Sequence, residues 1–169
     1  MGNHRRAMTL LELIVATTLM TVMVATVAVV LRTGHVAWKA QQGDAVKIMA
    51  ANATVRHIVR RVRQARAVTS ITPAGSVTGK LSLLMPSGET MTWDHNVGQK
   101  EVSFKISGPN NVLSTGITEL NFTGYEADGT TETTVAEDVH SVKCRVAVEL
   151  PRDANGTRIV SCWAWLRSW

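Results

Sequence analysis

The stretch MTLLELIVATTLMTVMVATVAVVL, residues 8–31, decides the fold, because it contains 24 residues with Glu12 as its only charged side chain. An α-helix of that length reaches about 36 Å at ~1.5 Å per residue, which is enough to cross a bilayer. Arg5 and Arg6 precede it, and basic residues at a membrane edge tend to stay in the cytoplasm. We therefore expect one membrane-spanning segment, with the large C-terminal remainder outside the cytoplasm.

A secretory signal peptide also has a basic start followed by an apolar stretch. Its apolar core normally has ~7 to 15 residues and ends in a small-residue cleavage site, whereas this run is longer and has no clear motif of that kind at its end. A plain signal anchor fits the length but leaves Glu12 unexplained, since an ionisable group in a membrane costs roughly 3 kcal/mol on insertion scales. Glu12 therefore needs a partner.

The N-terminal residues resemble those of type IV pilins and of the pseudopilins of type II secretion systems. In that family a short basic leader is cut just before an apolar residue, and a glutamate lies five residues into the mature chain. Here the leader would be residues 1–7, the mature chain would begin at Met8, and Glu12 lies at its fifth position. Ala7 stands where the family usually has glycine, and Met8 where it usually has phenylalanine. The resemblance is specific over residues 1–31.

The resemblance implies a processing and assembly route. A prepilin peptidase would cut between Ala7 and Met8 at the cytoplasmic face and methylate the amino group of Met8. The apolar helices would then pack together in a filament, with Glu12 of one subunit against the Met8 amine of its neighbour. Opposite charges brought together in a low dielectric offset much of each other's desolvation cost. The resemblance thus implies a partner for Glu12.

The residues after the membrane run continue a helical pattern. Apolar residues recur there at spacings of three and four, as in an amphipathic helix: Val55, Ile58, Val59 and Val62. We predict one long helix from about Thr9 to about Ala67, in which residues 8–31 form the transmembrane half and residues 32–68 the amphipathic half.

From residue 69 to residue 169 the pattern changes to short strand-like runs between turn signals. The runs are 80–85, 90–95, 101–106, 119–125, 141–150 and 158–166. The turns between them are Pro86–Gly88, Asn96–Gly98, Gly108–Asn110, Asp128–Gly129 and Asn155–Gly156. These runs predict the hairpins of an antiparallel β-sheet, so the expected fold class is α+β, with the long helix covering the buried sheet face. That is also the pilin architecture, and the order of the later segments resembles the minor pseudopilin termed J.

Cys144 and Cys162 fall on successive strands of the predicted last hairpin, and disulfides persist in exported domains. The alternate set that contains Cys162 is the more apolar one in its strand: Val160, Cys162, Ala164 and Leu166. A strict two-residue turn at Asn155–Gly156 would pair Cys144 with Arg167, so a disulfide needs a longer loop beginning near Pro151. A disulfide and two buried thiols both remain open. Two cysteines without further ligands at suitable spacing do not predict a metal site.

Three tryptophans lie near the C-terminus: Trp163, Trp165 and Trp169. The first two share a strand face opposite Cys162, and exposed tryptophans often mark partner surfaces. Packing in a second, smaller core or under a loop is the alternative. We expect a partner surface here.

Two charged segments also invite functional interpretation. Acidic residues that could gather a calcium ion are Glu126, Asp128, Glu132, Glu137 and Asp138. Their spacing matches no tight calcium loop, so a solvated acidic loop is the expectation. Arg56, Arg60 and Arg63 share a helix face and could contact nucleic acid, but no aromatic side chains are interleaved to stack on bases. We expect that arginine face to be solvated.

An enzyme is not expected. The histidines are scattered along the chain: His4, His35, His57, His95 and His140. The sequence shows no nucleophile elbow, phosphate-binding glycine loop or zinc signature. No catalytic residues, metal or other cofactor are therefore predicted.

The resemblance implies a minor pilin or pseudopilin, a structural subunit of a type II secretion pseudopilus or type IV pilus-like filament or of its tip. It would be a single-pass protein of the cytoplasmic (inner) membrane, with its C-terminal domain periplasmic or extracytoplasmic. Its partners would be other subunits, the peptidase, an inner-membrane assembly platform and membrane lipid. The alternatives are a singly anchored extracytoplasmic binding domain that never polymerises and a DNA-uptake pilin.

Overall fold

The computed structural model describes residues 9–150 and 156–167. Its first element is one long helix, α1 (Leu10–Val62). The strands that follow are β1 (Ala67–Ile71), β2 (Lys80–Leu84), β3 (Thr90–Asn96), β4 (Glu101–Ile106), β5 (Asn111–Thr115), β6 (Ile117–Tyr125), β7 (Glu132–Thr133), β8 (Ser141–Glu149) and β9 (Thr157–Trp165). A short 3-10 helix, η1 (Ala136–Asp138), lies between β7 and β8.

The chain divides into two compact units between Gln41 and Gln42. The N-terminal unit contains the apolar part of α1, and every described side chain from Thr9 to Lys39 in it is exposed. The C-terminal unit contains the remainder of α1 and all of the strands.

The strands form two antiparallel sheets in the orders β1-β2-β3-β4-β5 and β7-β6-β8-β9. The fold is therefore α+β, with a long apolar N-terminal helix, as the sequence predicts. Each of the six predicted strand segments contains a strand. The sequence pattern did not separate them into two sheets, and it did not identify β1, β5 or β7.

The end of the helix differs from the prediction, because α1 stops at Val62 rather than near Ala67. The amide groups of Gln64 and Ala65 donate to carbonyls only three residues earlier, which tightens the chain into a turn. The amide of Arg66 then donates to the Leu84 carbonyl at 2.8 Å. Ala67 accordingly begins β1, which pairs with β2.

One stripe of α1 supplies its share of the hydrophobic core. The buried residues of the helix are Ala51, Thr54, Val55, Ile58, Val59 and Val62, which include all four residues of the predicted apolar stripe. They pack with buried residues of both sheets, among them Leu83, Trp93, Phe122 and Val146. In β8, Val142, Cys144, Val146 and Val148 are buried while Lys143, Arg145 and Glu149 are exposed, and Ser141 and Ala147 are buried as well.

Backbone and side-chain contacts join the two sheets. His95 of β3 is buried, and its ring nitrogens lie 2.8 Å from the Val77 carbonyl and 3.0 Å from the Ile117 carbonyl. The Gly79 amide donates to the Leu120 carbonyl at 2.8 Å. A Cβ at position 79 would collide with that carbonyl, so the close approach requires glycine.

Candidate functional site

Glu12 lies in the first turn of α1, where it forms a capping box with Thr9. The Glu12 carboxylate accepts hydrogen bonds from the Thr9 amide and the Thr9 hydroxyl, both at 3.0 Å. The Glu12 amide donates in return to the Thr9 hydroxyl at 3.3 Å. This arrangement satisfies amide groups that a helix otherwise leaves without partners at its N-terminus. Glu12 therefore has a local role that needs no second subunit.

The capping box is a functional feature that the sequence reasoning missed. Its signal was present as TLLE at residues 9–12, since Ser or Thr followed three residues later by Glu before an apolar run is a capping-box pattern. From the sequence, only partners outside the chain were expected for Glu12. Thr9 is accordingly a further residue of the candidate site.

The apolar part of α1 is long and apolar enough to span a membrane. Its threonine hydroxyls are satisfied within the helix, because each donates to a carbonyl three or four residues earlier: Thr17, Thr18, Thr21, Thr26 and Thr33. In lipid, an unsatisfied polar group costs several kcal/mol. The polar side chains of this stretch are thus compatible with an apolar surrounding.

The predicted processing site lies outside the described residues, since Ala7 and Met8 precede the first of them. Trp169 likewise follows the last described residue. The predicted cut, the methylation of Met8 and the role of Trp169 all stay predictions.

Cys144 and Cys162 are directly opposite each other on β8 and β9. The connection between these strands is longer than a two-residue turn, since Glu149 pairs with Thr157 and the Leu150 amide donates to the Gly156 carbonyl. This register therefore has the longer loop that a disulfide between Cys144 and Cys162 requires. Cys144 is buried and Cys162 is half-buried, and burial raises the pKa of the Cys144 thiol. Both sulfurs are free thiols in the structure, and the disulfide stays one of the two alternatives that the sequence left open.

Trp163 and Trp165 lie on the outer face of β9, where each has a neighbour from the same sheet or its loop. The Trp163 ring packs on Tyr125 with centroids 4.8 Å apart, and its indole N–H donates to the Ser141 hydroxyl at 2.9 Å. Trp165 lies beside Gly129 in the β6–β7 loop. The two side chains nevertheless remain 44% and 54% exposed. They are partly packed against loop and sheet and partly available to a partner.

The acidic residues between β6 and β8 do not converge on one point. Asp128 accepts hydrogen bonds from the amides and hydroxyls of Thr130 and Thr131, and these bonds hold its pKa well below its usual range. Glu132 faces Tyr125, whose pKa is raised by burial and by this carboxylate. Within the described ranges, no three metal-ligating side chains are grouped so that they could hold a metal ion.

Arginines crowd the end of α1 and the turn after it. Residues 56–66 contain five of them: Arg56, Arg60, Arg61, Arg63 and Arg66. Arg61 and Arg66 line one wall of an 810 Å³ cavity, together with Gln64 and Arg167. Met85, Pro86 and Met91 form an apolar part of the same lining, which also contains the Glu89 carboxylate. The periodicity of the sequence identified the helix face that carries Arg56, Arg60 and Arg63. It could not identify this cavity, because the turn between β2 and β3 supplies its other side.

His57 faces the sheet on the same part of the helix. Its Nδ1 accepts a hydrogen bond from the Trp93 indole at 3.3 Å, and its ring meets Phe104 edge-on with centroids 5.1 Å apart. Burial lowers the pKa of His57, and the charges of Arg61 and Arg60 lower it further. The neutral ring therefore fits this position better than the charged one.

Comparison of the chain with protein-family models, with curated proteins and with solved structures finds no match.

Proposed function

We propose that this chain is a structural subunit of a pilin-like filament, that is, a pilin or pseudopilin made as a precursor and anchored in the cytoplasmic membrane by residues 8–31. The observation that carries the proposal is the position of Glu12. It is the only charged residue in the apolar stretch, and it lies at the fifth position after the proposed cut. The α+β layout and an N-terminal helix able to span a membrane are consistent with such a subunit.

Because of the capping box, an experiment must distinguish the cap that Glu12 forms on α1 from its pairing with a neighbouring subunit. Both hydrogen bonds from Thr9 go to one oxygen of the Glu12 carboxylate, and the other oxygen can accept further hydrogen bonds. In the proposal, the amine of Met8 on an adjacent subunit supplies the opposite charge. Two functions then fall on one side chain, namely capping α1 within the subunit and pairing with a neighbour.

Two substitutions of Glu12 separate these functions. Glu12→Gln removes the charge but keeps an oxygen that can accept from Thr9, since glutamine also serves in a capping box. Glu12→Ala removes both, and Thr9→Ala removes the cap while the charge remains. The loss of a cap costs about 0.5–2 kcal/mol. If Glu12 pairs with a neighbouring amine, the proportion of chain recovered in sheared filaments should fall alike for Glu12→Gln and Glu12→Ala, and far less for Thr9→Ala.

The opposite ranking would contradict the filament role of the charge. If Glu12→Gln assembles like the unchanged chain while Glu12→Ala and Thr9→Ala are impaired alike, capping is the whole function of Glu12. Membrane insertion of each variant is the control, because removal of a charge from the segment should leave insertion unchanged or improve it.

A second measurement addresses processing directly. The intact mass and N-terminal sequence of the protein are determined after expression with its cognate peptidase. A chain that begins at Met8 and carries one additional methyl group is the expected product. A chain that still begins at Met1 would leave a simple membrane anchor as the better account.

The capping box also favours a second candidate function, a singly anchored extracytoplasmic binding domain that does not polymerise. In that case Glu12 needs no neighbour, because Thr9 of the same chain occupies its carboxylate. The exposed faces of Trp163 and Trp165 would then be a binding surface of this domain. The Glu12→Gln comparison distinguishes this function from the filament subunit.

A further inference from the structure

The two sheets have four edge strands, and β9 differs from the other three. β1 has five residues, shifts register between Val68 and Ser70 and lies beside η1. β5 also has five residues and pairs with β4 through a register shift, while β7 has only two residues. Short strands and irregular pairing protect an edge from other chains. β9 has nine residues and an unbroken register with β8, so it lacks both protections.

The sequence of β9 also lacks the residues that usually protect an edge. Residues 159–166, IVSCWAWL, contain no charged residue, proline or glycine. Uncharged segments of high β-propensity pair readily with other strands when they are exposed. Ile159, Trp163 and Trp165 add exposed apolar side chains to one face of the strand. Such an edge would promote aggregation if it were left uncovered, so we expect a partner to cover it.

The hydrogen bonds at the two ends of the β8–β9 hairpin show which backbone groups of β9 point away from β8. The Leu150 amide donates to the Gly156 carbonyl, and the Leu166 amide donates to the His140 carbonyl. Because hydrogen-bonded pairs alternate with non-hydrogen-bonded pairs in an antiparallel ladder, the even-numbered residues of β9 bond to β8. The outward amides are those of Thr157, Ile159, Ser161, Trp163 and Trp165. Within residues 9–150 and 156–167, none of these amides has a hydrogen-bond acceptor.

The spacing of the outward groups determines the kind of partner. Amides and carbonyls that point outward at every second residue match the backbone of an extended strand, as in β-strand addition. The other edge strands of this chain have at most five residues, so none of them matches the length of β9. Two copies joined through β9 would form a closed two-fold pair, which does not repeat along a filament. The occupant that fits is therefore a strand of a different protein.

We propose that an extended segment of a different protein, a neighbouring subunit of the filament, adds to β9 as the fifth strand of the four-stranded sheet β7-β6-β8-β9. Its backbone would bond to Ile159, Ser161 and Trp163. Its side chains on the face of Trp163 and Trp165 would be apolar. The choice of a neighbouring subunit as the partner rests on the proposed function.

Amide hydrogen exchange at single-residue resolution tests the added strand. The full-length protein is measured in filament-containing membranes of its host cell and again after dispersal in detergent. In detergent, the even-numbered amides of β9 should exchange slowly and those of Ile159, Ser161 and Trp163 quickly, because hydrogen bonding protects an amide. In the membranes, these three outward amides should exchange about tenfold more slowly or less. Equal exchange rates of the three amides in both samples would overturn the added strand.

A substitution that removes one outward amide tests whether the backbone forms the contact. Ser161→Pro deletes an N–H that points away from β8, and proline is tolerated at such a position of an edge strand. The photoreactive residue p-benzoylphenylalanine at position 159 should form an adduct with a peptide of a different subunit. Ser161→Pro should reduce that adduct about tenfold. Ser161→Thr is the matched control, because it keeps the amide and should leave the adduct unchanged.

A second variant makes the test independent of the folding of the proline variant. Ser161→Lys keeps the amide but adds a charge, which also protects an edge from other strands, so it should reduce the adduct as well. Slow exchange of the even-numbered amides of β9 in detergent shows that each variant folds. An adduct between two copies of this chain, or an adduct that both variants leave unchanged, would contradict the added strand.

The N-terminal mass of the same sample separates this inference from the proposed function. A chain that begins at Met8 without protection of the outward amides overturns the added strand alone. A chain that begins at Met1 without this protection overturns both proposals. A chain that begins at Met1 with the protection overturns only the filament role.

Discussion

The apolar residues of the N-terminal unit and of the C-terminal unit have opposite surroundings. Leu19, in the middle of the apolar part of α1, is 61% exposed, whereas Trp93 in β3 is completely buried. Both units are rich in apolar side chains, but only the C-terminal unit covers its own with two sheets and a helix stripe. At about 25 cal/mol per Å² of apolar surface, exposure on this scale is costly in water.

The difference shows where each unit obtains its stability. The C-terminal unit is stabilised by contacts within the chain. The apolar part of α1 needs lipid or other helices to cover it, and a helix satisfies its own backbone groups in either surrounding. The function of this exposed part of α1 therefore depends on the lipid or the helices that cover it.

The strongest test of this comparison truncates one large apolar side chain in each unit. Trp93→Ala should lower the free energy of unfolding of the C-terminal unit by about 3–5 kcal/mol, because it leaves a cavity in a close-packed core. Leu19→Ala should leave that free energy unchanged, since Leu19 is exposed. Denaturant unfolding in detergent, followed by circular dichroism of the strands, measures both. A similar loss from both variants would show that the two units are not stabilised separately.

Glycine-to-alanine substitutions should change stability by less than Trp93→Ala does, and in opposite directions in the two units. Gly79→Ala should destabilise the C-terminal unit by about 1–3 kcal/mol, because its Cβ would displace the Leu120 carbonyl and the Phe122 ring. At Gly34 a Cβ meets no atom within 4 Å, so Gly34→Ala should stabilise the helix by up to about 1 kcal/mol. Thermal unfolding measures the first effect, and amide hydrogen exchange around residue 34 measures the second. Destabilisation at both positions would mean that Gly34 has a packing role of its own.

The sequence predicted the elements whose signal is local and missed those that depend on distant partners. The six predicted strands are short runs bounded by turn residues, and that signal lies within the sequence itself. The first two residues of β1 were placed in the helix, and no glycine or proline separates Val62 from Ala67. The helix ends before them because the Arg66 amide donates to the Leu84 carbonyl. β5 follows the turn residues Pro109 and Asn110 and becomes a strand by pairing with β4.

The residues of the candidate site also differ in whether their signal is local or depends on distant partners. Glu12 could be singled out from its local surroundings, and Thr9 could have been found with it from the capping-box spacing. Alternation alone could place Cys162 on the inward face of its strand, but its pairing with Cys144 depends on the length of the loop after β8. The 810 Å³ cavity beside Arg61 and Arg66 could not be predicted, because residues 61–66 and residues 85–91 come together only in the folded chain.

The smallest change in the free energy of unfolding that we expect comes from His57, which lies where α1 packs on the sheet β1-β2-β3-β4-β5. Its pKa is lowered in the folded chain by burial and by Arg61 and Arg60. The unfolded chain therefore binds the proton more readily, and the free energy of unfolding should fall as the pH drops through 6.5, the ordinary value for histidine. Protonation of Nδ1 would also remove the acceptor for the Trp93 indole. His57→Gln keeps an acceptor without a titrating group, so its unfolding free energy should change less between pH 7.5 and pH 5.5 in denaturant titrations. Equal pH dependence in the two proteins would show that His57 is not responsible.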